Sequence, residues 1–268
     1  MNISDFTTYL LNKNLSKNTI TAYTSSVNHF FSKYKWITKQ NLIQYKDFLT
    51  RNYKAQTVNL RIQGINQYLK FSHKEKLSLS FIKIQNKSFT DNIISNTDYE
   101  LLKNQLKRDG KVKWLLIVWV LGATGMRIGE LTRLKIEDIK ENIIDLYAKG
   151  EKYRRIYLPD KLSKEIQKWL ISEGRQSGYL FLNKYNKQIS AKGIAIQLKT
   201  YAKKYKINPK SVHPHAFRHL FAKNFLSRCP DISLLADLLG HENLSTTRIY
   251  LRKTSKEQED LINKTVTW

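Results

Sequence analysis

The run WLLIVWVLGATGM, from Trp114 to Met126, constrains the fold more than any other stretch of this chain. It is too short to cross a bilayer, which takes about 20 apolar residues in a helix. It is also too apolar to lie on a surface. It must therefore be a buried helix, and the polar residue that follows it, Arg127, is delivered at its end. The upstream sequence reads as helices with one apolar face each. In LSKNTITAYTSSVNHFFSKY, Ser16 is a candidate N-cap and Tyr23, Val27, Phe30 and Phe31 recur at helical spacing. Leu42, Tyr45, Phe48 and Leu49 repeat the pattern, as do Val58, Ile62, Ile65 and Leu69. With 10 glycines and 4 prolines in 268 residues, turn chemistry is sparse, and a mainly helical protein is expected. Residues 1–75 form a small helical domain, 76–93 a linker, and 94–268 a larger domain whose first helix is capped by Asn96 or Thr97.

Within the larger domain one region departs from helix. NIIDLYAKGEKYRRIYLP has two β-rich runs around the turn KGEK, a hairpin with Gly150 in its turn. Helices resume at KLSKEIQKWLI. Pro230 and Asp231 open another, and Gly240 closes it.

Composition narrows the partner. Lys and Arg number 47 against 22 Asp and Glu, a formal charge of +25. A genome rich in lysine codons would raise glutamate too, and glutamate does not keep pace. A polyanion accounts better for the imbalance. The basic residues are spread along the chain rather than gathered on one amphipathic helix, which favours nucleic acid over a membrane. Cys229 is the single cysteine, so an internal disulfide and a cysteine-based zinc site are excluded, in keeping with a reducing cytoplasm. The polar N-terminal stretch does not read as a signal peptide.

Four places carry polar groups that could form a site. They are Arg127 and Glu130 in ATGMRIGEL, Lys149 at the hairpin turn, His215, Arg218 and His219 in HPHAFRH, and His241 and Tyr250 in LLGHENLSTTRIY. Taken singly each has a plain structural reading. Arg127 caps a helix or pairs with Glu130, Lys149 is solvated, His215 is a hydrogen-bonded structural histidine, and Tyr250 is core. His215 and His219 have metal-pair spacing, yet the glutamate of the zinc-protease motif is missing between them. Taken together, Arg127, Arg218, Lys149, His215, His241 and Tyr250 suit phosphoryl transfer without a metal. Arginine forks match phosphate oxygens and stabilise charge developing in the transition state. A lysine can protonate a leaving oxygen and a histidine can take a proton. Tyrosine can be a covalent nucleophile.

The order Arg, Lys, His-x-x-Arg, His, Tyr resembles the signature of the tyrosine recombinase (phage integrase) family, including Xer-type recombinases. ATGMRIGEL resembles A-T-G-x-R-x-x-E-L, and AKGEKYRRIYLP resembles G-K-G-x-K-x-R-x-x-P-L with Ala148 in place of the first glycine. PHAFRH resembles P-H-x-L-R-H, and LLGHENLSTTRIY resembles L-L-G-H-x-x-x-x-T-T-x-x-Y. The match is dense over residues 123–250; upstream it is one of kind only, a basic helical core-binding domain of the SAM-like type.

The resemblance implies a two-domain, C-shaped clamp on double-stranded DNA with paired half-sites, and a catalytic domain that is mainly α with a small β-hairpin. It implies a site-specific recombinase that cuts and rejoins DNA through a 3′-phosphotyrosyl link, with no cofactor, metal or ATP. Tyr250 matches the nucleophile, Arg127 and Arg218 the phosphate clamps, and Lys149 the acid for the leaving 5′ oxygen, with Lys152 its near rival. His215 matches a proton-transfer position and His241 a phosphate-binding one, while Glu130 and His219 match supporting positions. Ser245 or Thr246 is expected to cap the short helix that carries Tyr250, and His213, extra to the pattern, is expected to face solvent.

The resemblance further implies a homotetramer in the synaptic complex and a monomer free in solution, at work in integration or excision of a mobile element or in Xer-like resolution. The short N-terminus argues against an extra arm-binding domain. The tail KTSKEQEDLINKTVTW is expected to form a short helix, with Ser255 and Gln258 as a capping box and Leu261, Ile262, Val266 and Trp268 as its apolar residues. It docks on its own domain or, as the resemblance implies, on a neighbouring subunit. A topoisomerase-like relaxing enzyme and a non-catalytic integrase-derived regulator are the competing readings; the complete residue set argues against the second.

Overall fold

Burial of one face per helix organises both parts of the chain, which the computed structural model divides into two compact units, Met1–Asn86 and Lys87–Trp268. The described residues are 3–84, 92–139, 142–148, 152–241, 243–251 and 255–266. In the first unit, helices α1 (Ile3–Asn12), α2 (Lys17–Phe31), α3 (Lys39–Asn52) and α4 (Ala55–Phe71) enclose one apolar core. Ser16 caps α2, its Oγ accepting the Thr19 N–H at 3.2 Å, and Thr38 caps α3 in the same way. Val27 and Phe30 of α2, Leu42, Tyr45 and Leu49 of α3, and Val58, Ile62, Ile65 and Leu69 of α4 are all buried.

The first part of the stretch read as a linker is held on this unit. A 3₁₀ turn, Glu75–Leu77, follows α4. Two asparagines of α4 then grip the chain beyond it. Asn66 donates to Leu79 O and accepts the Leu79 N–H, both at 2.9 Å; Asn59 does the same with Ile82. Each side-chain amide stands in for a neighbouring strand, which satisfies backbone groups that have no sheet to join.

The second unit is built around the apolar run. Helix α5 (Asn96–Arg108) leads to α6 (Val112–Thr124), whose Leu116, Ile117, Val118, Val120 and Leu121 are buried. The cap of α5 is Ser95, one residue before the expected position. Ser95 is extended, and its Oγ accepts the Asp98 N–H at 3.0 Å, so Asn96 and Thr97 are already helical. Next come the short α7 (Ile128–Leu131) and an antiparallel hairpin of β1 (Ile143–Ala148) and β2 (Lys152–Tyr157). Lys149 and Gly150 lie outside the described residues. The hairpin alternates as strands do: Ile144, Ile156 and, beyond β2, Leu158 are buried, while Asp145 and Arg155 pair across the outer face at 2.8 Å. Helices α8 (Asp160–Ser172), α9 (Ala191–Lys204) and α10 (Pro214–Arg228) complete this core, while Leu235 and Leu239 of α11 (Ile232–Leu239) form a smaller one with Ala222 and Tyr250. A four-residue helix, α12 (Leu244–Thr247), runs into a 3₁₀ turn, Arg248–Leu251, and α13 (Ser255–Thr265) is the last helix described. Among the described residues no helix is long and apolar enough to cross a membrane.

In α4, Gly64 packs closely against α2. A Cβ there would stand 2.8 Å from Ser26 Cβ and 3.1 Å from the Tyr23 backbone. Helix propensity alone would make Gly64→Ala stabilising by about 1 kcal/mol. The contact is with a Cβ and a backbone atom, which cannot swing aside, so overpacking wins. Gly64→Ala is expected to destabilise the first unit by about 1–3 kcal/mol, read as a lower midpoint in urea unfolding. A raised midpoint would show that α2 and α4 are not in close contact.

Candidate active site

Two left-handed glycines build the site. Gly125 ends α6 at φ +60° and Gly240 ends α11 at φ +64°. At the second, the Gly240 N–H donates to Asp237 O and the His241 N–H to Ala236 O, both at 2.9 Å. That is the double bond pattern that closes a helix on glycine. It leaves the next carbonyls, Leu239 O and Gly240 O, without helical partners at the negative end of the helix. Three guanidinium groups take them. Arg218 Nη2 donates to Leu239 O at 2.7 Å, Arg154 Nη1 donates to the same oxygen, and Arg127 Nη2 donates to Gly240 O at 3.0 Å. Arg218 Nη1 also donates to Gly125 O at 2.7 Å, so both glycine corners hold it.

Among the described residues, one carboxylate balances the positive charge locally. Glu130 accepts the Arg127 N–H at 2.6 Å and Arg154 Nη2 at 2.8 Å on Oε2, and Arg127 Nη1 at 3.0 Å on Oε1. Arg154 and Arg218 are buried, whereas the Arg127 side chain is 44% exposed. Burial pulls the Arg154 guanidinium down to about 10, against the opposing pull of Glu130, and lowers that of Arg218. Arg154 stays charged at neutral pH.

Tyr250 lies against this cluster, almost fully buried beside Ala222, Leu235 and Leu239. The His241 ring stacks on it at 5.9 Å and 12°, and the His219 ring meets it edge-on at 4.6 Å. His241 Nε2 is 2.8 Å from Arg218 Nη2, and Nδ1 is 2.9 Å from Thr247 Oγ1. Burial, then Arg218, Arg127 and Arg154, pull the His241 imidazole down to about 4. Burial does the same to His219, whose Nδ1 is buried without a hydrogen-bond partner among the described residues. The arrangement sets a phenol oxygen beside charge-assisted donors that suit a phosphate.

The structure thus brings together Arg127, Glu130, Arg218, His219, His241 and Tyr250. Lys149 lies outside the described residues, and the side chain of Lys152 is not among those described. His215 is exposed on the first turn of α10, and the histidines packed on Tyr250 are His219 and His241. Two expectations are corrected. His213 does not face solvent. It is half-buried and caps α10, its Nδ1 accepting the Ala216 N–H at 3.2 Å ahead of Pro214. Ser245 and Thr246 do not precede the Tyr250 helix but lie inside it, since α12 begins at Leu244. Arg154 was missed by the sequence reading. Its strand register points inward with Ile156 and Leu158, and an arginine in that register signals a buried partner.

The phage integrase family model matches residues 92–257. Tyrosine recombinase XerA of Pyrococcus horikoshii is 33% identical over 98% of this chain and 92% of its own length. A crystal structure of XerA recombinase superposes with a TM-score of 0.57 at 26% identity, covering 98% of this chain and 96% of that one. XerH site-specific recombinase bound to difH substrate, a pre-cleavage complex, gives a TM-score of 0.71 at 20% identity over 93% of this chain and 80% of that one, a likeness of fold.

The two low-pKa histidines give stability a pH dependence. His219 and His241 are held near 4 in the folded chain, and an unfolded histidine titrates near ~6.5. Between these values the unfolded chain binds more protons, so their contribution is full above ~6.5 and is lost as pH falls toward ~4. His219→Phe is expected to flatten the decline of the urea midpoint across that window. An unaltered slope would show that His219 titrates as it does in the unfolded chain.

Proposed function

The chain belongs to the phage integrase family and is a tyrosine-type site-specific recombinase, and we propose that Tyr250 is its nucleophile. The Tyr250 oxygen attacks the scissile phosphorus, the bond to the 5′ oxygen breaks, and a 3′-phosphotyrosyl link forms. The 5′ oxygen takes a proton from Lys149, with Lys152 the alternative donor, and the phenol proton passes to His215. Arg127 and Arg218 hold the nonbridging oxygens and stabilise the charge that gathers on them. His241 completes the phosphate site, and Glu130 and His219 support it. The link keeps the phosphodiester bond energy, so the 5′ hydroxyl of another strand can reverse the step and exchange strands without ATP.

The observation that carries this reading is the convergence of Tyr250, His241, Arg218 and Arg127 on the Gly240 corner. The formal charge of +25 supports a DNA partner, as does the transposon right end DNA held by the Tn1549 transposon integrase, a protein of similar fold. The first unit serves as the core-binding domain and the second as the catalytic domain, acting in the cytoplasm on paired half-sites. Leu261 and Ile262 of α13, and Val266 just beyond it, are exposed rather than packed on their own unit. That supports docking of the tail on a neighbouring subunit in a synaptic tetramer, with integration, excision or resolution as the outcome.

The test uses half-site DNA nicked near the scissile phosphate, in buffer with EDTA and no nucleotide. The wild-type chain is expected to form a denaturation-stable protein–DNA adduct. Tyr250→Phe is expected to bind the same DNA with unchanged affinity and to form none. An adduct made by Tyr250→Phe would assign the nucleophile to another residue.

A further inference from the structure

His241 has a hydrogen-bond partner on each ring nitrogen. A guanidinium only donates, so Nε2, 2.8 Å from Arg218 Nη2, accepts. In the neutral ring the proton then sits on Nδ1 and is donated to Thr247 Oγ1 at 2.9 Å. The depressed pKa, near 4, agrees with a neutral ring. Of the two threonines before Tyr250, Thr246 is exposed and Thr247 is fully buried. Thr247 is the last residue of α12, and the turn that follows it carries Tyr250. One hydroxyl therefore joins the segment that bears the nucleophile to the histidine that meets the arginine.

We infer that Thr247 is a positioning residue for strand cleavage, its hydroxyl fixing the His241 ring so that Nε2 stays on Arg218 and the ring plane stays on Tyr250. An imidazole has two broad orientations about its outer torsion. Flipping the ring here would forfeit the bonds at both nitrogens. Without the hydroxyl, the unflipped ring would keep an unpaired N–H in a crowded site, and its advantage would shrink. Because His241 stacks on Tyr250, a ring that takes two orientations passes its disorder to the phenol. Because it also meets Arg218, the guanidinium loses a fixed neighbour. Valine has the shape of threonine and no hydroxyl; serine keeps the hydroxyl. The inference rests on Tyr250 being the nucleophile.

The test compares wild type, Thr247→Val and Thr247→Ser in single-turnover adduct formation on nicked half-site DNA at saturating protein. Nitrogen NMR of the His241 ring is recorded on the DNA-free chain. Thr247→Val is expected to form the adduct about tenfold more slowly, the effect of one buried hydrogen bond, with DNA affinity kept. Its His241 ring is expected to give more than one set of signals. Thr247→Ser is expected to restore both the rate and the single set of signals. A wild-type rate in Thr247→Val, a rate in Thr247→Ser as low as in Thr247→Val, or an unchanged single ring state in Thr247→Val would overturn the inference. So would a wild-type ring with its proton on Nε2, a result that needs no variant to fold. An adduct formed by Tyr250→Phe would instead overturn the choice of nucleophile and leave the ring geometry standing.

Discussion

Two neighbouring carbonyls at the end of α11, Leu239 O and Gly240 O, hold three guanidinium groups, and the rest of the site depends on that convergence. Three like charges this close repel, and burial of two of them adds a desolvation cost. The protein offsets both with oriented dipoles. The helix end supplies partial negative charge, Gly125 O supplies a further acceptor for Arg218, and Glu130 supplies the carboxylate that Arg127 and Arg154 share. Among the described residues the arginines outnumber the carboxylate that pairs with them, which leaves neutralisation incomplete there. The residual positive charge sits beside a buried phenol.

The division of labour among the arginines follows from burial. Arg154 and Arg218 are buried, and they tie β2 and α10 to the end of α11. Arg127 is the exposed member, with guanidinium hydrogens left over after its bonds to Glu130 and Gly240 O. In the proposed reaction the exposed fork meets the phosphate first, and the buried one is already aligned when charge develops. Preorganisation of this kind lowers the barrier because little has to turn during the reaction.

Much of this could be read from the sequence. The apolar run had to be a buried helix, Gly240 had to end one, and the β-rich runs about KGEK had to pair. Those features are set locally, by hydrophobic period and by glycine's access to positive φ. What was not legible depends on tertiary contact. His213 and His215 look alike in HPHAFRH, and only the course of α10 decides which caps the helix and which is exposed. Ser95 outcompeted Asn96 and Thr97 as a cap through a one-residue choice of helix start. Arg154 looked like one more basic residue of a hairpin until its register placed it under Leu239 O. Thr247 was indistinguishable from Thr246 until burial separated them.

If the Gly240 corner organises the site, disturbing it should disable the chemistry ahead of DNA binding. A Cβ at Gly240 would stand 2.6 Å from Arg154 Cδ, at a positive φ that alanine resists. The most direct measurement is the single-turnover cleavage rate of Gly240→Ala on nicked half-site DNA at saturating protein, beside its DNA affinity. The account predicts a rate lower by about 10²-fold, the scale of losing a preorganised donor, with affinity retained. Cleavage at the wild-type rate would contradict it.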